Sequence, residues 1–184
     1  NGYHFVGDCS HSEVKNASHM VFRSLPGMYD LFNWANDFCL LSTKPTAIAN
    51  FAGRLYVFDN ANTYLINPQT LVIEDTYKGT GCVGMRSLIV TDFGMFYCDK
   101  NNAYFHNGQT PEIISQTIKK GGDSDIDTSI SDFSWDKTAG APNSMNPILG
   151  FDNKRNCILF FVEKPGDGVG TYSSRYYCWS FSLT

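Results

Sequence analysis

Hydrophobic and polar positions fall into short, regularly interrupted runs from Pro45 onward. Runs rich in β-branched and aromatic residues are broken by Gly, Asn and Asp, which is typical of antiparallel strands joined by turns. The first group of runs therefore predicts a four-stranded meander. Its strands are Thr46–Phe51, Arg54–Phe58, Thr63–Ile66 and Leu71–Asp75.

The same order of elements returns after the glycine-rich link Gly79–Gly84. Turn residues again separate four short apolar runs, and Asn107-Gly108 is a strong hairpin signal. A second meander is therefore predicted. Its strands are Ser87–Thr91, Met95–Cys98, Ala103–His106 and Glu112–Ile114.

The two meanders align as an internal repeat with a period of about 41 residues. Gly53, Tyr56 and Asn60 fall on residues of the same type 41 positions later. After one residue is dropped, four identities continue: Tyr64 with Tyr104, Asn67 with Asn107, Gln69 with Gln109 and Thr70 with Thr110. A four-stranded antiparallel unit with a period of roughly 40–45 residues is typical of a β-propeller blade.

A third unit has predicted strands at Pro147–Phe151, Asn156–Glu163 and Arg175–Phe181, which leaves no room for a fourth strand before Thr184. The predicted fold class is all-β and β-propeller-like, with four-stranded antiparallel blades. Because a single blade is not stable alone, and because the chain begins at Asn1 without Met or a signal peptide, we expect a fragment that holds an incomplete propeller.

The domain organisation follows from these units. Residues 45–184 are predicted to form the propeller segment, in which a short helix over Ile114–Lys120 leads into a polar insert at 121–146. Residues 1–44 contain strand-like pieces but no clean blade, so they are either a divergent blade or the end of a preceding element. The predicted blades are residues 45–78, 86–118 and 147–184.

Composition narrows the function classes. The chain has 184 residues, 42% of them hydrophobic, which is enough for a substantial core. Only 17% are charged, with a net charge of −4, so a nucleic-acid footprint is not indicated. No apolar run is long enough to span a membrane. The six cysteines form no CxxC pair and three lie in apolar runs, which favours reduced core thiols over three disulfides.

Two groups of residues have side chains of the kinds that bind metal ions. Asp123–Asp127 alternates carboxylates as a calcium loop does, but Thr128 stands where Gly is expected and Ser134 where a bidentate Glu is expected. A solvated acidic loop is favoured. The N-terminal cluster lacks a zinc-ligand spacing, so no metal is predicted. This cluster comprises His4, Asp8, Cys9, His11 and His19.

Catalytic patterns are weak. The chain has no Gly-x-Ser-x-Gly motif, and His106 is the only histidine outside the N-terminal cluster. A pair of carboxylates for glycoside hydrolysis could come from strand ends, where acidic residues also form turns. The candidates are Glu74, Asp75, Asp92 and Asp99. We predict no enzyme, no catalytic residue and no cofactor.

Aromatic residues offer a different kind of site. Most lie inside predicted strands, where a place in the core is favoured. Trp135 and Tyr172 lie on polar inserts and are the predicted interface residues.

Three stretches carry a resemblance: Pro45–Phe58, Ser87–Tyr97 continuing into Asn107–Ile118, and Asn146–Asn156. They resemble the propeller region of tail nozzle and related head-to-tail structural proteins of tailed bacteriophages. The middle stretch is the most specific, because it closes on an Ile-Ser-x-x-Ile motif at Ile114–Ile118. The resemblance covers about residues 45–160; residues 1–44 have no counterpart in it.

This resemblance implies a structural virion protein, located in the tail, that acts through subunit and docking interfaces. It implies a homo-oligomeric ring that meets other tail, adaptor or fibre proteins, with no membrane partner and no sequence-specific nucleic acid, although DNA may pass through the assembled channel. The alternative is an extracellular glycan-binding or glycan-cleaving β-propeller. A cytosolic interaction propeller is a third reading, but its Trp-Asp and Gly-His marks are absent.

Overall fold

The computed structural model describes residues 2–115, 147–163 and 176–183. The protein is all-β, with 50% strand and 5% helix, and its strands form four antiparallel sheets. The chain divides into two compact units, Asn1–Met85 and Arg86–Thr184. Within the described residues no helix is long and apolar enough to cross a membrane.

The first unit contains sheets I and II. Short 3₁₀ turns lie at Ala17–His19 and at Met85–Ser87. The strands of sheet I are β1 (Phe5–Gly7), β2 (Met20–Leu25), β3 (Met28–Phe32) and β4 (Phe38–Leu40). The strands of sheet II are β5 (Ala47–Phe51), β6 (Arg54–Phe58), β7 (Asn62–Ile66) and β8 (Ile73–Lys78).

Sheet II is the predicted meander, in the order β5-β6-β7-β8. Its first three strands begin within one residue of the prediction, but β8 begins at Ile73 rather than Leu71. The Asn67 side chain accepts hydrogen bonds from the N–H groups of Gln69 and Thr70, and Leu71 has a positive φ of 59°. The turn therefore extends through Leu71 before the strand starts.

Sheet I is three strands wide. β1 pairs with one edge of β2, and both β3 and β4 pair with the other edge. The third strand is thus interrupted by residues 33–37. The strand-like pieces predicted within residues 1–44, Met20–Phe22 and Phe38–Leu41, correspond to β2 and β4, whereas β1 and β3 were not predicted. The division at residue 44 stays a prediction.

Sheets I and II pack face to face through a common apolar core. Val21 of β2, Val57 of β6 and Ile66 of β7 are completely buried in it. β1 and β5 contact each other and run in opposite directions. The ion pair between Asp8, just after β1, and Lys44, just before β5, shows that the end of β1 lies beside the start of β5. This reversal follows from sheet I having no fourth strand before the chain enters β5.

The second unit contains sheets III and IV. Sheet III has the predicted four-stranded order and sheet IV the three predicted strands. The strands of sheet III are β9 (Leu88–Thr91), β10 (Gly94–Cys98), β11 (Ala103–His106) and β12 (Glu112–Ile113). The strands of sheet IV are β13 (Ile148–Asp152), β14 (Cys157–Glu163) and β15 (Tyr176–Ser182).

Sheets III and IV also share a core. Phe96 of β10 packs with Ile158 and Phe160 of β14. The first strands of the two sheets, β9 and β13, contact each other and begin side by side, because the Ser87 hydroxyl donates a hydrogen bond to the carbonyl of Pro147. Ile114 still pairs with Ala103 through its backbone N–H at 2.9 Å. Ser115 also stays at this sheet, where its hydroxyl accepts the backbone N–H of Ala103 at 3.1 Å, so the predicted helix does not begin at Ile114. The remaining residues of the predicted helix, 116–120, and the insert at 121–146 lie outside the described residues.

Candidate functional site

The turn between β6 and β7 is closed by a buried carboxylate. Oδ1 of Asp59 accepts hydrogen bonds from the backbone N–H groups of Ala61 at 2.7 Å and Asn62 at 2.5 Å. Oδ2 accepts from the hydroxyl groups of Tyr64 at 2.8 Å and Thr43 at 2.5 Å. The Asp59 carboxylate therefore provides hydrogen-bond acceptors for the N–H and hydroxyl groups of the turn, and both of its own oxygens have partners.

The turn between β10 and β11 has the same arrangement. Oδ1 of Asp99 accepts from the backbone N–H groups of Asn101 at 2.6 Å and Asn102 at 2.5 Å, and Oδ2 accepts from the Tyr104 hydroxyl at 2.8 Å. Asp99 is buried. The repeat is therefore present in side-chain geometry as well as in strand order.

Strand register fixes the spacing of the repeat. Val57 lies opposite Tyr64 in sheet II, and Tyr97 lies opposite Tyr104 in sheet III. Equivalent positions are therefore 40 residues apart, and no residue is dropped between the two sheets. Seven identities fall at an offset of 40 residues: Asp59/Asp99, Asn62/Asn102, Tyr64/Tyr104, Asn67/Asn107, Gln69/Gln109, Thr70/Thr110 and Ile73/Ile113.

The predicted alignment at an offset of 41 is wrong for its first three pairs. Gly53 is the second residue of a two-residue turn, whereas Gly94 is the first residue of β10. A Cβ atom on Gly94 would lie 2.6 Å from the Phe105 ring, and the residue has a positive φ of 155°, so both close packing and backbone conformation require glycine here. The other mismatched pairs are Tyr56/Tyr97 and Asn60/Asn101.

Electrostatics agree with a structural role for these turns. Burial alone would raise the pKa of Asp59, but the hydrogen bonds that it accepts, first from Thr43, lower the pKa below its usual value. Burial raises the pKa of Tyr64, and the nearby Asp59 charge raises it further. Burial likewise raises the pKa of Tyr104. Asp59 is thus held as a carboxylate and both tyrosines as neutral donors.

Of the other acidic candidates, Asp92 is exposed in the turn between β9 and β10, and Glu74 and Asp75 make local contacts. Glu74 forms an ion pair with Arg54 and accepts a hydrogen bond from the Asn67 amide at 3.0 Å. Asp75 accepts from the backbone N–H of Thr76 at 2.7 Å. The Asp99 carboxylate accepts the hydrogen bonds of the turn between β10 and β11, as described above.

The N-terminal residues weighed for zinc are spread over separate contacts. His4 stacks on Tyr29 with ring centroids 4.5 Å apart, and His11 packs on Trp34 at 5.2 Å. Among the described residues no group of three or more metal-ligating side chains comes together. The five cysteines whose side chains are described are free thiols. The calcium candidate Asp123–Asp127 lies outside the described residues.

The predicted interface residues Trp135 and Tyr172 also lie outside the described residues. Within the first unit, a different apolar surface is present at the tip of the β2–β3 hairpin. Met28, Tyr29 and Leu31 are each about half exposed, at 54%, 51% and 50%. We call these three residues the hairpin patch. The sequence pattern does not predict this patch, because β3 shows no alternation of apolar and polar positions.

A groove lies between β1 and β5 in the same unit. Its volume is about 580 Å³, and most of its lining is apolar. Phe5, Val6 and Ile48 line one part, and the exposed Met85 side chain, whose Sδ lies 3.3 Å from the Ile48 backbone N, lines another. We call this cavity the β1–β5 groove.

A salt bridge stands at one end of the β1–β5 groove. Lys44 Nζ lies 2.8 Å from Asp8 Oδ1, and both side chains are substantially exposed. The sequence patterns gave no signal for this groove, since β1 itself was not predicted.

Comparisons with known proteins do not assign the chain to a family. No protein-family model matches the sequence, and no curated protein matches it.

Proposed function

We propose that this chain is a structural component of a bacteriophage virion, a nozzle-like tail protein built on a β-propeller. It acts through subunit and docking interfaces, as a homo-oligomeric ring that meets other tail, adaptor or fibre proteins. In this proposal the chain is not an enzyme, and DNA passes through the assembled channel without sequence-specific contacts.

The observation that carries the propeller part is the repeated turn. Asp59 with Tyr64 and Asp99 with Tyr104 close the same turn of consecutive four-stranded meanders, 40 residues apart. A blade-sized unit that repeats its strand order and its turn chemistry is the sequence and structural signature of repeat architectures.

The packing of sheets III and IV supports the same architecture. In a propeller, each blade packs face to face on the next, and the first strands lie nearest the axis. β9 and β13 begin side by side, and the faces behind them share a core around Phe96 and Phe160. Sheet I differs, because its third strand is interrupted and β1 runs opposite to β5. It therefore fits an element that adjoins the blades.

The interface part of the proposal is supported by the hairpin patch. Three large apolar side chains within four residues of β3 stand in solvent, and exposed apolar groups are one mark of interaction sites. Met28, Tyr29 and Leu31 are aromatic or flexible apolar residues, which interfaces favour over charged ones.

Labelling of intact virions tests the location. Antibodies against the chain should decorate the tail, and mass spectrometry of purified tails should recover it. Glycan-array binding by the chain tests the alternative. Specific sugar binding that is lost in Trp135→Ala, and kept in the control Trp34→Phe, would contradict the purely structural proposal and favour the glycan-binding propeller.

A further inference from the structure

The loop that joins β11 to β12 begins with an asparagine followed by a glycine, Asn107-Gly108, and both residues are exposed. We propose that this loop is a self-modification site, in which the Asn107 side-chain amide is converted to a carboxylate through a cyclic imide, with His106 as the base. Water is the co-reactant. The inference goes beyond the proposed function and does not depend on it, because the residues that carry it all lie in one hairpin.

The backbone nitrogen of Gly108 is the nucleophile. Its bond to Asn107 Cγ closes a ring that contains only atoms of these two residues. Ring closure removes the Gly108 N–H proton, and this N–H donates a hydrogen bond to His106 Nδ1 at 3.0 Å, which is within reach for a base. The proton leaves in the plane of the peptide, whereas the electron pair of the nitrogen lies above and below that plane. Proton transfer to His106 and attack on Cγ therefore use different directions.

The Asn107 side chain is folded forward along the chain, across Gly108. Its Oδ1 accepts the backbone N–H of Gln109 at 3.1 Å, so the side-chain amide spans the residue whose nitrogen attacks it. Negative charge develops on Oδ1 during the attack, and a donor already placed there stabilises that charge. Both reacting groups thus have the hydrogen-bond partner that the reaction needs.

The reaction balances without an oxidant, a reductant or a second protein. The bond between Gly108 N and Asn107 Cγ forms, the Cγ–Nδ2 bond breaks, and the proton taken up by His106 leaves with the amine as ammonia. Water then opens the imide at either carbonyl carbon. Attack at Cγ leaves an aspartate, and attack at the backbone carbonyl leaves an isoaspartate, whose main chain runs through the former side chain. Either product adds one negative charge to the exposed loop.

The burial of His106 suits the role of base. The ring is completely buried and its pKa is lowered to about 4, so at neutral pH the imidazole is uncharged and Nδ1 retains the electron pair that takes up the proton. The low pKa also makes the imidazole a weak base, so we expect the conversion to be slow.

The equivalent turn of sheet II has the same asparagine without the reacting groups. Asn67 Oδ1 accepts the backbone N–H two residues later at 2.9 Å, as Asn107 Oδ1 does. Ile66 precedes Asn67, so that position supplies no imidazole, and Pro68 follows it, so there is no backbone N–H to lose a proton. Asn67 is therefore an internal control in the same molecule.

Incubation of the full chain in neutral buffer tests the site. Peptide mapping by tandem mass spectrometry should show that peptides with Asn107 gain the mass of an amide-to-acid exchange over time, whereas peptides with Asn67 do not. The map also separates Asn107 from Asn1-Gly2, the other Asn-Gly pair in the sequence. Isoaspartate at position 107, detected by electron-transfer fragmentation, would demonstrate the imide, because direct hydrolysis of the amide gives aspartate alone.

Two comparisons separate the role of His106 from the reactivity of the dipeptide. The chain unfolded in urea keeps Asn107-Gly108 but loses the contact with His106, so its conversion should be slower by about 10-fold or more. His106→Asn keeps an acceptor but cannot take up a proton, and should slow conversion of the folded chain by about 10-fold or more while leaving the rate in urea unchanged. His4→Asn, at an exposed histidine of the first unit, is the matched control and should convert at the unmodified rate. Circular dichroism checks that each variant is folded.

Each contrary outcome overturns a defined part. Conversion at position 107 in urea but not in the folded chain would overturn the proposal, because the fold would then protect the loop. Aspartate without isoaspartate would exclude the cyclic imide. Equal rates in the folded and unfolded chain would show that the dipeptide alone reacts and that His106 is not the base. All of these outcomes concern the β11–β12 loop and leave the proposed function as it stands.

Discussion

Tyr104 donates a hydrogen bond to the Asp99 carboxylate over 2.8 Å, and Tyr64 donates to Asp59 over the same distance. The two pairs occupy equivalent turns of successive sheets. In both turns the carboxylate also holds two backbone N–H groups, which would otherwise be left without a partner at the sharp bend between strands.

Removing either tyrosine hydroxyl should destabilise the fold. Tyr64→Phe and Tyr104→Phe each delete one donor to a buried carboxylate and should lower the free energy of unfolding by about 1–3 kcal/mol. Urea denaturation measures the effect. Tyr29→Phe alters an exposed tyrosine and should cause almost no change. Equal stability of Tyr104→Phe and the unmodified chain would show that the turn does not depend on this bond.

Acid should weaken the second unit through His106. The ring is completely buried, and its Nδ1 accepts the backbone N–H of Gly108 at 3.0 Å, so the neutral form is required. Burial lowers the pKa of His106 to about 4. The unfolded chain takes up a proton near pH 6.5 and the folded chain does not until about pH 4. The stabilisation is therefore complete above pH 6.5 and is lost as the pH falls toward 4.

Denaturation at pH 7 and pH 5 measures this loss, which we expect to be about 2 kcal/mol. His106→Asn keeps an acceptor near Nδ1 and removes the titration, so it should flatten this part of the pH dependence. A variant with the same pH dependence as the unmodified chain would contradict the assignment to His106.

Arg23 ties sheet I to the β7–β8 turn of sheet II. Its guanidinium lies 2.6 Å from Asp37 and donates to the backbone carbonyls of Pro68 and Gln69. Arg23→Lys keeps the positive charge but loses the several N–H donors of the guanidinium. It should lower the free energy of unfolding by about 2 kcal/mol. Arg54→Lys, at a largely exposed ion pair with Glu74, should cost less than about 0.5 kcal/mol. Thermal unfolding of both variants gives the comparison, and equal losses would contradict it.

Gly81 is required by close backbone contact. A Cβ atom there would lie 2.4 Å from backbone atoms of Asn60 and Ala61, so Gly81→Ala must move the β6–β7 turn. We expect Gly81→Ala to lower the free energy of unfolding by about 2 kcal/mol. Gly150→Ala is the matched control, because its nearest neighbours would lie at 3.6 Å or beyond. Comparable stability of the two variants in urea would rule out a special constraint at Gly81.

Much of the fold was predictable because its strands are short apolar runs bounded by strong turn residues. Sheets II, III and IV have the predicted strand order, and Ala103–His106 was predicted without error. β3 was missed because its first four side chains are all exposed, which removes the alternation that marks a strand. β1 has only three residues, too few for a pattern.

The sequence predicts an offset of 41 residues for the start of the repeat, whereas the strand register gives 40. The difference arises because the two glycines that the sequence aligns have different structural roles. Gly53 forms a turn with φ 74°, whereas Gly94 makes room for Phe105. The signal that fixes the correct spacing was present as Asp-x-x-Asn-x-Tyr at residues 59–64 and 99–104. The groove depends on the contact of β1 with β5, a long-range relationship that no local pattern encodes.

The most direct test of the account is the native mass of the assembly that contains this chain, with two-dimensional class averages from electron microscopy. The account predicts closed rings of many copies attached to a phage tail, with blade-like density around a central channel. A free monomer or small oligomer, with no tail attached, would contradict it.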